Sequence, residues 1–315
     1  MSAQTAPTQP TQAPRRLTVA DIARMYADGE RLATLTAYDA PTAGILDEAG
    51  IPLLLVGDSV AQVMLGYDST VRVSMDEMLH HTRAVVRGSR RALVVADMPF
   101  LAYADPAAAL ENAGRFLRDA GAQAVKVEGG VRTARVIEAL VRAGIPVMGH
   151  IGWTPQSEHG MGGKVRVQGK SRAQARALLA DAFAVQEAGA FSVVLELVPE
   201  QLAAAITGRL RIPTIGIGAG AGCAGQIQVV TDLLGLGSFI PRHARPYATL
   251  RETIRSAAEA YAADVRAGSF PGSDQASRMD DAVLAEVLGR SPLDATGETG
   301  AEAAEPLGIP LDRDL

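Results

Sequence analysis

The sequence predicts an α/β fold, a single-domain (β/α)₈ TIM barrel with an N-terminal helix and a flexible tail at each end. Two observations carry this. An amphipathic helix that ends in Ala-Gly and runs within a few residues into an aliphatic strand recurs at Ala49-Gly50, Ala120-Gly121, Ala143-Gly144 and Ala188-Gly189. Glycine in the left-handed conformation closes the last turn of a helix, so each pair marks a helix-to-strand junction. Strands can then be counted to about eight, the number that closes a barrel over roughly 250 residues. An open doubly wound sheet has the same local pattern, and the unit count is what favours the barrel.

In chain order the predicted strands are residues 32–36, 53–58, 93–97, 124–128, 147–151, 192–197, 214–218 and 227–230. Several are almost continuously apolar until a polar residue near the end, which requires cover on both faces, as in a parallel sheet. Helical periodicity runs between them over 75–87, 106–119, 132–141, 172–186 and 199–210, and a further helix, 250–267, follows the last strand. The domain reading is a disordered N-terminal arm, 1–16, a catalytic barrel, 17–271, and an acidic, largely disordered C-terminal tail, 272–315.

Composition narrows the function classes. With 315 residues, 48% of them hydrophobic, the chain can bury one large aliphatic core or two modest ones. A formal net charge of -5 supplies no basic field for a phosphate backbone, so nucleic acid is not an expected partner. The one cysteine, Cys223, cannot form an internal disulfide, which fits a reducing compartment. The N-terminal MSAQTAPTQPTQAPRR lacks the apolar stretch of a secretory signal, and apolar runs such as 51–56 stop far short of the roughly 20 residues that span a bilayer. A cytoplasmic protein without a membrane association is expected.

The most informative feature is where the acids fall. Asp58, Asp97, Glu128 and Glu196 each end a predicted apolar strand, and in α/β barrels that rim is the active-site face. Any one of them reads equally as a helix N-cap or a loop hydrogen-bonding group. Four carboxylates converging on one mouth would repel one another unless a cation or raised pKa values relieved the charge. Mg²⁺ suits hard oxygen ligands and keeps positions open for substrate and water. Lys126 lies two residues before Glu128, so strand alternation points both to one face. It reads as a structural ion pair or as an anion-binding group for a substrate carboxylate. His150, ending the next strand, reads as a satisfied core histidine or a substrate contact.

Other signals are weaker. His80 and His81 sit on a helix without the spacing of a zinc-protease motif, so a helix surface is expected. Gly162-Gly163-Lys164 is followed by Val165 and lacks the first glycine of a phosphate-binding loop. The run Gly216, Gly218, Gly220, Gly222 has Ala221 where a dinucleotide fingerprint needs glycine, leaving a tight loop over a ligand as the inference.

The segments LTAYDAPTAGILDEAGIPLLLVGDS, LGYDSTVRVSMDEMLHHTRAVVRG, ALVVADMPF, AVKVEGG, GHIGWTPQS, VQGK, IPTIGIGAG and GQIQVVTDLLGL, in this order over about residues 31–247, resemble the ketopantoate hydroxymethyltransferases. The resemblance implies a Mg²⁺ site at Asp58, Asp97 and Glu128. It implies contacts to a 2-oxo acid from Asp58, Ser59, Asp97, Lys126 and His150, with Glu196 as the base. The implied reaction of pantothenate biosynthesis carries a one-carbon unit from 5,10-methylenetetrahydrofolate to 3-methyl-2-oxobutanoate, giving 2-dehydropantoate. Polarising the 2-oxo group lowers the cost of removing the C3 proton, which a carboxylate within hydrogen-bond reach can accept. A homo-oligomer, often a decamer, is also implied. The chain departs from the family pattern at Val60-Ala61-Gln62, where many members have Leu-Gly-Met. It departs again at Lys164-Val165-Arg166, one residue longer than usual, at Ala224 in place of an acid, and at His243 in place of an aromatic residue. A Mg²⁺-enolate carbon–carbon lyase of the pyruvate or phosphoenolpyruvate type, or a non-catalytic paralogue that binds a small acid, are the alternative readings.

Overall fold

A computed structural model of the chain describes residues 15–289. Eight parallel strands close into a barrel in chain order, and the eighth pairs back with the first. They are β1 Leu32–Thr36, β2 Leu53–Val56, β3 Leu93–Asp97, β4 Ala124–Glu128, β5 Val147–Gly152, β6 Ser192–Glu196, β7 Thr214–Ile217 and β8 Gly225–Gln228. Helix α1, Val19–Ala27, precedes β1, and α2, Ala40–Glu48, follows it. Next come α3, Val60–Val63, and α4, Met75–Gly88, then α5, Pro106–Arg118, and α6, Ala134–Arg142. Helices α7, Arg172–Glu187, and α8, Glu200–Thr207, flank β6, and α9, Val230–Leu233, follows β8. Closure excludes the doubly wound sheet. Among the described residues no helix is long and apolar enough to cross a membrane.

Strand alternation sorts the apolar side chains into two cores. Leu53, Leu55, Leu93, Val95, Ala124, Met148, Val194 and Ile215 point into the barrel and pack with Ile22 of α1. Leu54, Val56, Val94, Ala96, Val125 and Val127 point outward beneath the helices. Each such side chain taken fully out of water contributes about 1.5–3 kcal/mol. Helix α1 closes the N-terminal end of the barrel. Its start is fixed by a capping box between Thr18 and Asp21, and Asp21 also pairs with Arg15 at 2.7 Å and Arg24 at 2.8 Å. Arg16 donates to the Ala92 carbonyl at 2.8 Å and to Ser89 Oγ at 3.1 Å.

Several element limits differ from the sequence reading. The second strand stops at Val56 because Gly57, Asp58 and Ser59 already turn into α3, with Val60 N–H donating to Gly57 O at 3.1 Å. The sixth stops at Glu196 because Leu197 takes a positive φ of 49°, and the seventh at Ile217 because Gly218 takes 63°. The last strand lies two residues earlier than 227–230. Val230 opens α9 instead, its N–H bound to Thr36 Oγ1 at 2.9 Å.

The ends are corrected as well. Of the predicted arm 1–16, Arg15 and Arg16 are tied to the protein by the bonds above, and residues 1–14 lie outside the described residues. The chain divides after Thr253 into two compact units. Helix α10, Leu250–Ala267, has no buried residue, and within the second unit Tyr261 and Phe270 meet edge to face at 5.4 Å. The part of the tail read as disordered includes α11, Asp281–Gly289, whose helix-forming run starts with Ala282 N–H bound to Asp280 Oδ1 at 2.7 Å. Residues 290–315 lie outside the described residues.

Helices α2 and α4 approach so closely that a Cβ on Gly88 would stand 2.2 Å from the Ala40 carbonyl oxygen. Alanine gains at most ~1 kcal/mol of helix propensity, less than the cost of forcing two backbones apart. Gly88→Ala is expected to lower stability by about 1–3 kcal/mol, read as a lower urea midpoint; an unchanged midpoint would show that the contact is soft.

Candidate active site

Alternation along the strands decides which side chains enter the mouth of the barrel. Continuing the inward positions Leu93 and Val95 leads to Asp97, and Ala124 leads to Lys126 and Glu128. Met148 leads in the same way to His150, and Val194 to Glu196. The sheet register then makes neighbours of Asp97 and Lys126, of Glu128 and His150, and of Gly152 and Glu196. Five of the predicted site residues thereby form one interior layer at the C-terminal rim.

The side chains form a continuous charged chain. Lys126 Nζ lies 2.8 Å from Asp97 Oδ1 and 3.8 Å from Glu128 Oε1. His150 Nδ1 lies 3.2 Å from Glu128 Oε1, and its Nε2 lies 3.2 Å from Glu196 Oε2. Asp58 joins through its backbone, its N–H donating to Asp97 Oδ2 at 3.1 Å. Ser59 sits at the turn, its hydroxyl 2.8 Å from Tyr38 Oη. All but Ser59 and Glu196 are buried, and Glu196 keeps 17% of its side chain exposed.

Burial works against each charge. It raises Asp58, where Glu128 adds to the effect, and it raises Asp97 to about 8 against the pull of Lys126. In Lys126 burial is outweighed by Asp97, Glu128 and Asp58, which hold the ammonium above its ordinary value. Burial and Lys126 pull His150 down, yet Glu128 and Glu196 overcome both and leave the imidazole raised to about 9. Four carboxyl groups thus crowd around two basic side chains, Lys126 and His150, and the shortage of positive charge shows in Asp58 and Asp97, both raised toward their neutral forms. Asp97 Oδ1, Glu128 Oε1 and His150 Nε2 are buried without a hydrogen bond of proper alignment despite these short ion-pair distances.

Residues that sequence reasoning missed hold this layer in place. Gln156 donates its side-chain amide to Asp58 Oδ2 at 3.0 Å and to Met98 O at 2.9 Å, while its backbone N–H reaches Glu128 Oε2 at 3.1 Å. Tyr103 Oη donates to Gln156 Oε1 at 2.6 Å and accepts Glu128 N–H at 3.2 Å. Gly152, at φ 97°, lets β5 pass β6, since a Cβ there would stand 2.2 Å from the Glu196 carbonyl oxygen. The only signal for Gln156 was its place in the segment GHIGWTPQS; no periodicity points to it.

Above the layer is a cavity of about 680 Å³. Leu55, Val194, Ile217 and Ile227 are apolar parts of its lining, and Val165, Phe239 and Pro241 come from loops at its mouth. Residues from three of the departures from the family pattern line it: Gln62, Val165 with Arg166, and His243. Other expectations are corrected. None of the four glycines of the run 216–222 lines this cavity, although Gly218 and Gly220 border a neighbouring one with Arg31, Gln226 and His243; a Cβ on each of the four would meet Cys223, Leu197, Glu200 or Ala204. His80 is exposed as expected, but His81 is half-buried, with Nδ1 2.7 Å from the Tyr38 carbonyl.

A family model described as ketopantoate hydroxymethyltransferase matches residues 16–273. The chain belongs to the ketopantoate hydroxymethyltransferase family. It is 62% identical over 275 residues to the 3-methyl-2-oxobutanoate hydroxymethyltransferase of Chloroflexus aurantiacus (strain ATCC 29366 / DSM 635 / J-10-fl), covering 87% of this chain and 97% of that protein. It is 56% identical over 274 residues to the enzyme of the same description from Roseiflexus sp. (strain RS-1), covering 87% and 98%. A crystal structure of phosphonopyruvate hydrolase shares the fold at a TM-score of 0.55 and 14% identity, covering 87% of this chain and 95% of that one. Membership makes this an enzyme, a hydroxymethyltransferase of pantothenate biosynthesis, and sets aside the lyase and the non-catalytic paralogue.

For this family member the buried ammonium group is a structural necessity. Lys126→Met leaves buried carboxylates without their counter-ion and is expected to cost about 3–5 kcal/mol of stability near neutral pH. With Lys126 gone, Asp97 folds only when protonated, so its folded pKa rises further above the unfolded value. Such a group stabilises fully below its unfolded pKa and loses that contribution as pH rises through the folded one. The deficit of the variant against the parent protein in urea unfolding is therefore expected to stay nearly flat from about pH 4 to pH 8, where Asp97 is protonated in both folded proteins, and to grow above about pH 8 as only the parent's Asp97 ionises; a deficit that does not grow above pH 8 would overturn this account.

Proposed function

We propose that the enzyme is Mg²⁺-dependent and transfers the one-carbon unit of 5,10-methylenetetrahydrofolate to C3 of 3-methyl-2-oxobutanoate, giving 2-dehydropantoate with consumption of one water. The observation that carries this is a buried layer of oxygen donors in which four carboxyl groups outnumber two basic side chains, a place where a divalent cation would supply the missing positive charge. Asp58 and Asp97, linked by the N–H of one to the carboxylate of the other, are suited to hold it, with Glu128 as the third acid. Among the described residues no three carboxylate, imidazole or thiolate groups are gathered as a ready-made metal set. When bound, Mg²⁺ supplies Lewis acidity toward the 2-oxo and carboxylate oxygens of the substrate.

The chain's own residues do the rest. Lys126 and Ser59 offer N–H and O–H donors to the substrate carboxylate, and protonated His150 offers one to the 2-oxo oxygen. The apolar floor of Leu55, Val194, Ile217 and Ile227 takes the dimethyl end and excludes water from C3. Glu196, open to the cavity and oriented by His150, accepts the C3 proton as general base. The electron pair left on C3 forms the new carbon–carbon bond to the methylene carbon, whose two C–N bonds break; water supplies the hydroxyl group of the product, and the C3 proton and the second water proton end on the two nitrogens of tetrahydrofolate. We further infer a cytoplasmic homo-oligomer, supported by the exposed Ile254, Tyr261 and Val265 of α10; sedimentation of the full chain tests it.

Glu196→Gln is expected to bind 3-methyl-2-oxobutanoate within about threefold of the parent protein yet exchange its C3 proton in D₂O about 10²–10⁴-fold more slowly, followed by proton NMR without folate. Undiminished exchange would reject Glu196 as the base. Stripping metal from the parent protein is expected to abolish exchange and product formation, and Mg²⁺ to restore both. Turnover by metal-free protein, or product formed without the folate, would reject the corresponding part of the reading.

A further inference from the structure

Asp232 lies in the short helix α9 after β8 and lines the same cavity as Asp58, Lys126 and Glu196. Its residue is only 9% exposed. Its backbone N–H is bound to Val229 O at 3.0 Å, while its carboxylate has no hydrogen bond or ion pair among the described residues. A buried carboxylate without a partner is costly, and natural proteins keep one where a ligand supplies the donors. Burial raises its pKa, and the charge of His243, also in the cavity wall, opposes that. Asp58 and Asp232 both act on the Tyr38 phenol, which itself bonds Ser59. The Asp232 carboxylate therefore shares one cavity with Asp58 and Ser59 of the acidic site.

The two substrates differ in what they can give this group. The 2-oxo acid is an anion without N–H donors and is repelled by Asp232. A reduced pterin ring carries an N–H and an amino group side by side on its 2-amino-4-oxo edge, spaced to meet both oxygens of one carboxylate. The ring is also flat and largely apolar on its faces, which suits a mouth bounded by Val165, Val167, Phe239 and Pro241. We propose that Asp232 is the specificity residue for the one-carbon donor, accepting two parallel hydrogen bonds from the amidine edge of its pterin. This rests on the folate-dependent reading above.

The test compares tetrahydrofolate with its 2-desamino-2-methyl analogue, which lacks the amino donor, by binding to the Mg²⁺-loaded parent protein and to Asp232→Asn and Asp232→Ala. The parent protein is expected to bind the analogue about 10–100-fold more weakly than tetrahydrofolate. The variants are expected to lose that discrimination, and to raise KM for methylenetetrahydrofolate about 10–100-fold while KM for 3-methyl-2-oxobutanoate moves less than about threefold. If the parent protein does not discriminate, or the variants discriminate as it does, the assignment of Asp232 is overturned while folate dependence stands. The parent protein's own discrimination decides the matter if a variant does not fold. If the parent protein makes product without any folate, the underlying reading fails and this assignment with it.

Discussion

The buried ammonium of Lys126 is the charge around which the mouth of the barrel is organised. A lysine 3% exposed in a barrel interior survives only because Asp97 stands 2.8 Å away and Glu128 and His150 lie just beyond. In turn, those acids tolerate one another only because the lysine lies among them. Each member is thus both a cost and the compensation for its neighbour's cost. Such a group retains an appetite for positive charge, and that appetite is the physical basis for reading the layer as a place for a divalent cation and a polarised keto acid.

The barrel gives this arrangement its rigidity. Parallel register makes neighbours of side chains far apart in sequence, so the contacts Asp97–Lys126 and Glu128–His150 follow from strand pairing and need no long flexible loop. Loops add Asp58 and Ser59 after β2, and further supports. Gln156 ties Asp58 to Glu128, and Tyr103 ties Gln156 to the end of β4. Leu197, held at a positive φ directly after Glu196, turns the chain away so that the carboxylate is left at the cavity edge. Local strain next to a group assigned to catalysis is where such strain is ordinarily kept.

Much of this was legible in the sequence because it depends on local rules. Ala-Gly junctions, apolar strands and acids at strand ends report backbone periodicity, and the period-two rule put Lys126 and Glu128 on one face before any coordinates. What was not legible depends on contacts between distant segments. Nothing near Gln156 announces that its amide will meet Asp58, and nothing in the run Gly216 to Gly222 shows that Glu200 and Ala204 will fill the space. The eighth strand was misplaced because Gly225 and Gln226 look like loop, whereas pairing with Leu32 and Ala33 makes them strand. Asp232 was passed over for the opposite reason: an acid early in a helix looks ordinary until its surroundings are known.

Helix α1 has a larger consequence than its size suggests. By plugging the lower end with Ile22 and locking there through Arg16, it leaves the layered interior solid from below. The reaction chamber is a well with one opening. Whatever reaches the charged layer enters and leaves through the C-terminal mouth, past Val165, Phe239 and Pro241. Access from one side is therefore imposed by a stopper at the far end of the barrel, which takes no part in the cavity lining.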